Sequence, residues 1–129
     1  MPLFSEMDEE AQARVRERYT HRILALVQGM AKLRERRKKV VLTSLEDLEI
    51  GVGLLRLQAE VDDLLDEEAA LELSTKSIRA PSDEELVSMR EAVKAIHELN
   101  AKSREASAII AAVVEVAGSL RKRSPGARA

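Results

Sequence analysis

The chain is expected to fold as an elongated all-α bundle of three helices running up, down and up, with coiled-coil-like packing. Three observations carry that expectation. Ala, Glu, Leu, Arg and Lys make up more than half of the 129 residues, above the roughly 50% that marks long helices and coiled coils. Apolar residues recur at steps of three and four through three long stretches, as one buried helix face requires. Helix-start signatures begin at Ser5, Ser44 and Ser82, spaced 39 and 38 residues apart, and helices of matched length on short connections become antiparallel neighbours. The reading is one helical-bundle domain, 1–129, with helices at about 5–39, 44–75 and 82–123 and a disordered tail at 124–129.

The first helix is read from Ser5-Glu6-Met7-Asp8, a capping box with Asp in the usual Glu or Gln position. Val15, Tyr19, Ile23, Leu26, Val27, Met30 and Leu33 then form one stripe. Gly29 lies inside that stripe, where it costs about 1 kcal/mol against Ala and permits close approach of a neighbouring helix. The helix closes on Lys32-Leu33-Arg34-Glu35-Arg36-Arg37-Lys38-Lys39, whose cations suit the negative end of the helix dipole.

Ser44-Leu45-Glu46-Asp47 restarts the chain as a second helix. Gly51-Val52-Gly53 marks a point where this helix kinks, crosses a neighbour closely, or breaks into 44–50 and a segment from 54. It is not a phosphate loop: it lacks the third glycine, a preceding strand and a following Lys-Ser/Thr. Leu54, Leu55, Leu57, Val61, Leu64, Leu65, Leu71 and Leu73 face inward, and Glu60, Asp62, Asp63, Asp66, Glu67, Glu68 and Glu72 form a solvated acidic face. No Glu-x-x-His occurs, so the carboxylates do not match a di-metal bundle. Residues 74–80 are a polar linker.

Pro81-Ser82-Asp83-Glu84-Glu85 starts the third helix, with Ser82 and Glu85 as the two halves of a capping box. This helix is expected to be continuous to 123 and to be the element the others cover. Its first half buries one stripe of Leu86, Met89, Val93, Ile96 and Leu99. Its second half, Ala108-Ile109-Ile110-Ala111-Ala112-Val113-Val114, is seven apolar residues in succession, which leaves a helix no face for water. It is too short for a bilayer, which takes about 20.

Charge and composition narrow the function. Net charge is −2, which argues against bulk attraction to nucleic acid. Residues 5–39 carry ten basic and six acidic groups, whereas 44–75 carry ten acidic groups and Arg56 alone as a base. Phe4 and Tyr19 are the only aromatic residues, so neither base stacking nor a pocket for a planar ligand is expected. Without cysteine there is no disulfide framework or thiolate metal site. Met1–Glu6 lacks the basic and apolar regions of a secretory signal, and a cytoplasmic location is expected.

The expected function is non-enzymatic protein binding: an adaptor, a secretion-type chaperone or an immunity- or antitoxin-like partner. Its apolar third helix would be covered by a second copy, giving a homodimer, or by another protein. The residues assigned to that contact are Ile109, Ile110, Val113, Val114, Val116 and Leu120. Asn100, Ser103 and Ser107 are read as a polar row in the seam that fixes register. No cofactor, metal or small-molecule substrate is expected, and His21 and His97 are read as boundary histidines.

Two alternatives stand beside this. A phosphate-contacting protein would use the basic runs 32–39 and 121–123 on nucleic acid or an anionic membrane. The Arg-x4-His spacing of Arg16 and His21 resembles the motif of the HEPN helical ribonucleases. That resemblance implies a phosphate held by Arg16 and His21 with proton transfer assisted by them. The motif falls here in the first helix, whereas that family carries it in a later one.

Overall fold

The structure, a computed structural model, describes residues 2–122; the expected tail at 124–129 lies outside the described residues. Four helices form the bundle: α1 (Glu9–Arg37), α2 (Leu45–Ala69), α3 (Asp83–His97) and α4 (Ala106–Lys122). Two 3-10 turns, Phe4–Glu6 and Leu71–Leu73, flank them. The expected third helix is thus two, and the count of three is corrected to four. The central element is also corrected. α1, about 43 Å long at 1.5 Å per residue, packs against α2, α3 and α4 alike.

The first cap lies three residues beyond Ser5. Asp8 accepts from Ala11 N at 2.8 Å, while Ser5 sits in the preceding turn, which Glu6 closes on Leu3 N. α1 ends at Arg37, two residues short of the expected Lys39, and residues 38–43 turn the chain. Thr43 adopts φ 62, costly for a β-branched residue. Asp47 offsets that cost by accepting from Thr43 N. Ser44 caps α2 as expected, accepting from Asp47 N.

α2 is one unbroken helix through Gly51 and Gly53, so the break considered there does not occur. It ends at Ala69, and the linker that follows is tied down by Ile78 N to Pro2 O and the Leu3–Ser77 bridge. Ser82 and Glu85 form the expected capping box of α3, and Arg79 adds a bidentate ion pair to the same carboxylate.

Between α3 and α4 the polar residues act locally. The Asn100 side chain accepts from Lys102 N, its carbonyl accepts from Ser103 N, and the helix is interrupted. Such side chains offer the backbone an alternative to the helix ladder. α4 then starts at Ala106. Ala106 N donates at 2.9 Å to Glu46 on α2, sixty residues away. Arg36 clasps the same carboxylate with two hydrogen bonds and donates to Lys102 O. One Arg–Glu pair therefore joins α1, α2 and the start of α4.

The core holds Phe4, Val15, Leu26, Leu33, Ile50, Leu57, Met89, Ile96, Ile109, Val113 and Leu120, all nearly or fully inaccessible. α4 lies in the groove between α1 and α2 because both offer it a glycine. A Cβ on Gly29 would come within 2.6 Å of both Val113 methyls, and one on Gly53 within 2.9 Å of Ile110 Cδ1.

Candidate protein-interaction surface

α2 carries two apolar stripes. Ile50, Gly53, Leu57, Val61 and Leu64 face the core. Leu45, Leu48, Val52 and Leu55 follow steps of three, four and three and lie outside it, 74%, 60%, 66% and 75% exposed. At 100° per residue the five residues from Leu45 to Ile50 turn the helix by about 140°, so the second stripe cannot join the first. Its spacing is that of the a and d positions of a coiled coil.

Ile110, Ala111 and Val114 of α4 form the facing wall of a shallow groove of about 590 Å³, with Ser107 at its rim and Gly53 in its floor. Glu49 and Arg56 flank it. Nearly all of its lining is apolar, and Arg56 approaches Glu60 on its own helix at 4.0 Å.

The sequence-assigned contact residues divide. Ile109, Val113 and Leu120 are fully buried by their own chain, which corrects their assignment to an outside surface; Val116 packs on the same core. Ile110 and Val114 do line the groove, as does Ser107. Asn100 and Ser103 lie in the exposed α3–α4 loop, not in a helix seam. Sequence reasoning missed Leu45, Leu48, Val52 and Leu55 as exposed residues. The signal was present in the surplus of apolar positions on α2, more than one face can bury.

The other candidate features are accounted for locally. Of the basic run, Arg36 pairs with Glu46, Arg37 with Asp47 and Lys32 with Glu35. The Glu46 carboxyl is held below its ordinary range by Arg36 first and by the Ala106 amide next. Asp47 is lowered in the same way by Arg37 and then the Thr43 amide. Arg34, Lys38 and Lys39 stay exposed. Arg16 covers the Phe4 ring and approaches Glu68 and Glu72, whereas His21 is buried against Glu17 at 3.0 Å. Arg90 holds the same Glu17 at 2.6 Å. His97 meets Gln28 across the α1–α3 contact.

Among the described residues no His, Cys, Asp and Glu cluster could hold a metal. No helix among them is long and apolar enough to cross a membrane. Compared with protein-family models, curated proteins and solved structures, the chain matches none.

Proposed function

We propose that this chain is a protein-interaction module whose α2–α4 groove takes an amphipathic helix, and that the helix it fits is α2 of a second copy, laid antiparallel. The observation that carries the reading is the exposed seam of Leu45, Leu48, Val52 and Leu55 beside Ile110 and Val114. A contiguous apolar surface of this kind marks an interaction site, and helix-in-groove docking uses this spacing.

The second copy is favoured by complementarity. In an antiparallel pair about a two-fold axis near Ile50, Leu45 lies opposite Leu55 of the second copy, and Leu48 opposite Val52. All four seam residues of each chain are then matched with apolar partners. Side chains lean toward the N-terminus of their helix, which brings Glu49 toward Arg56 of the second copy, twice by symmetry. Complementary charge of this kind fixes register.

The test is sedimentation velocity between about 5 and 500 µM, a range that brackets weak specific association. Concentration-dependent dimerisation is expected, with Leu48→Glu and Val52→Glu both monomeric yet fully helical. Glu49→Arg alone and Arg56→Glu alone weaken the dimer, and the two together restore it. A monomer at every concentration, or a dimer indifferent to Leu48→Glu, refutes the second-copy reading.

The phosphate-contacting alternative draws less support, because Arg36, Arg37 and Lys32 are engaged with carboxylates of their own chain. A ribonuclease centre draws less again, since Arg16 and His21 each contact different acids.

A further inference from the structure

Away from the groove, a second cavity of about 360 Å³ opens between α1 and the linker that leads to α3. Its inner wall includes Arg18, which is 3% exposed. Its guanidinium donates to the Arg79 carbonyl at 2.9 Å, and among the described residues no carboxylate lies within ion-pair distance of it. Burial is the largest influence on Arg18 and also on Arg22, the second arginine of the cavity, and it disfavours the charged form of both. Lys76 adds a third cation at the mouth, against Glu67 as the only acid of the lining.

A buried cation without a paired anion is costly, because the lost hydration is not replaced. Arg79, the neighbour that could have shared a carboxylate with Arg18, gives its own guanidinium to Glu85 instead. Of the remaining lining, the Tyr19 ring, Ala70, Leu71, Leu73 and Ile78 are apolar, and Ser74 and Thr75 add hydroxyl groups beside Lys76. The volume falls within the roughly 300–1,000 Å³ of small-molecule sites.

We infer that this cavity is a binding site for a small organic oxyanion: a carboxylate or phosphate on an apolar body of about six to ten heavy atoms. The oxyanion meets Arg18, with Arg22 and Lys76 closing over it, and the apolar body lies against Tyr19, Leu71 and Ile78. Arginine supplies a planar fork that matches either oxyanion bidentately, and the apolar wall selects against inorganic anions. This goes beyond the sequence-based expectation of no small-molecule substrate.

The experiment is titration of the full chain with octanoate, phenyl phosphate and inorganic phosphate, followed by amide chemical shifts and thermal melting. Saturable shifts confined to residues around Arg18, Leu71 and Ile78 are expected for one or both organic anions, with inorganic phosphate at least tenfold weaker. Octanoate against phenyl phosphate tells carboxylate from phosphate. Lys76→Glu, at an exposed position, should weaken binding about tenfold with an unchanged melting temperature. Arg18→Lys should abolish it, and Arg18→Met should melt no lower than the ligand-free parent. If no anion saturates at about 10 mM, or if binding ignores both Lys76→Glu and Arg18→Lys, the site does not exist. If Arg18→Met also unfolds the chain in that case, Arg18 is only a pin for the linker.

Discussion

The seating of α4 against two glycines gives a quantitative forecast. Replacing Gly by Ala inside a helix contributes about 1 kcal/mol where the methyl group meets open space. Gly118 has nothing within 4 Å of a new Cβ, so Gly118→Ala should stabilise by nearly that amount, or about 4 °C in melting temperature for a domain of this size. Gly51 faces only Arg37 Nη2 at 3.6 Å, an ordinary contact, and should gain slightly less. At Gly53 the nearest atom is Ile110 Cδ1 at 2.9 Å. That is the free end of a side chain lining an open groove, so gain and crowding should nearly cancel. At Gly29 a Cβ meets two Val113 methyls at 2.6 Å, on a residue with no exposed surface. Overpacking costs about 1–3 kcal/mol against the gain of about 1 kcal/mol, so Gly29→Ala should destabilise by up to about 2 kcal/mol net. The decisive assay is a double-mutant cycle in urea. Val113→Ala alone should cost about 2 kcal/mol for its lost methyl groups and cavity. It removes both close contacts and leaves one at 3.2 Å to Val113 Cβ, so Gly29→Ala should become close to neutral in that background. A coupling of up to about 2 kcal/mol is expected. Equal cost in both backgrounds, or a gain from Gly29→Ala in the parent, would refute the close seating of α4.

Three further outcomes follow from the polar contacts. Glu46→Gln weakens the Arg36 clasp and the cap of α4 together, so amides at 106–109 should exchange faster with solvent while those of mid-α1 keep their protection, read by hydrogen exchange. Glu85 has its pKa pulled from 4.5 down to about 2, chiefly by Arg79, and Glu17, Glu46 and Asp47 are shifted in the same direction. A lowered folded-state pKa means that this stability is complete above the unfolded value and is lost as pH falls from about 4.5 toward 2; Glu85→Gln should flatten that slope in denaturation curves measured across the window. Asn100→Leu should leave the oligomeric state unchanged, because Asn100 shapes an exposed loop, and a changed sedimentation profile would contradict that placement.

What the sequence discloses is unequal across the fold. Ser44 and the Ser82–Glu85 box are legible because cap and helix are neighbours in the chain, and a local pattern suffices. The end of α3 is not legible in that way. Asn100 and Ser103 read equally well as a polar row on a continuous helix, since both sit at helical spacing from Ser107. The choice is made by Glu46, which supplies the first amide of α4 with an acceptor and so lowers the cost of starting a new helix. An acceptor that far away in the chain leaves no trace in a local pattern. The role of Gly29 was readable in kind, as a close approach, but the identity of the neighbour, Val113, belongs to the tertiary structure.

The apolar run of α4 shows why hydrophobicity alone misplaces an interaction surface. Seven apolar residues in a row need an outside cover only if large ones point outward. Here Ile109 and Val113 are buried, Ile110 and Val114 stand at the groove, and the exposed positions are Ala108 and Ala111. Alanine exposes little surface, so the run is largely satisfied by α1, α2 and α3. The unsatisfied surface falls instead on the N-terminal half of α2. Leu45 and Leu48 are interleaved with Glu46, Asp47 and Glu49, while Val52 and Leu55 belong to the non-polar stretch 50–55, whose other members include the buried Ile50 and Gly53. Glu46 and Asp47 explain the interleaving, because they hold Arg36 and Arg37. One turn of α2 thus ties its N-terminal half to α1 with ion pairs and turns its leucines away from the core. A helix anchored by charge on one side is free to offer an apolar seam on the other, and that geometry, more than the composition of α4, motivates placing the partner there.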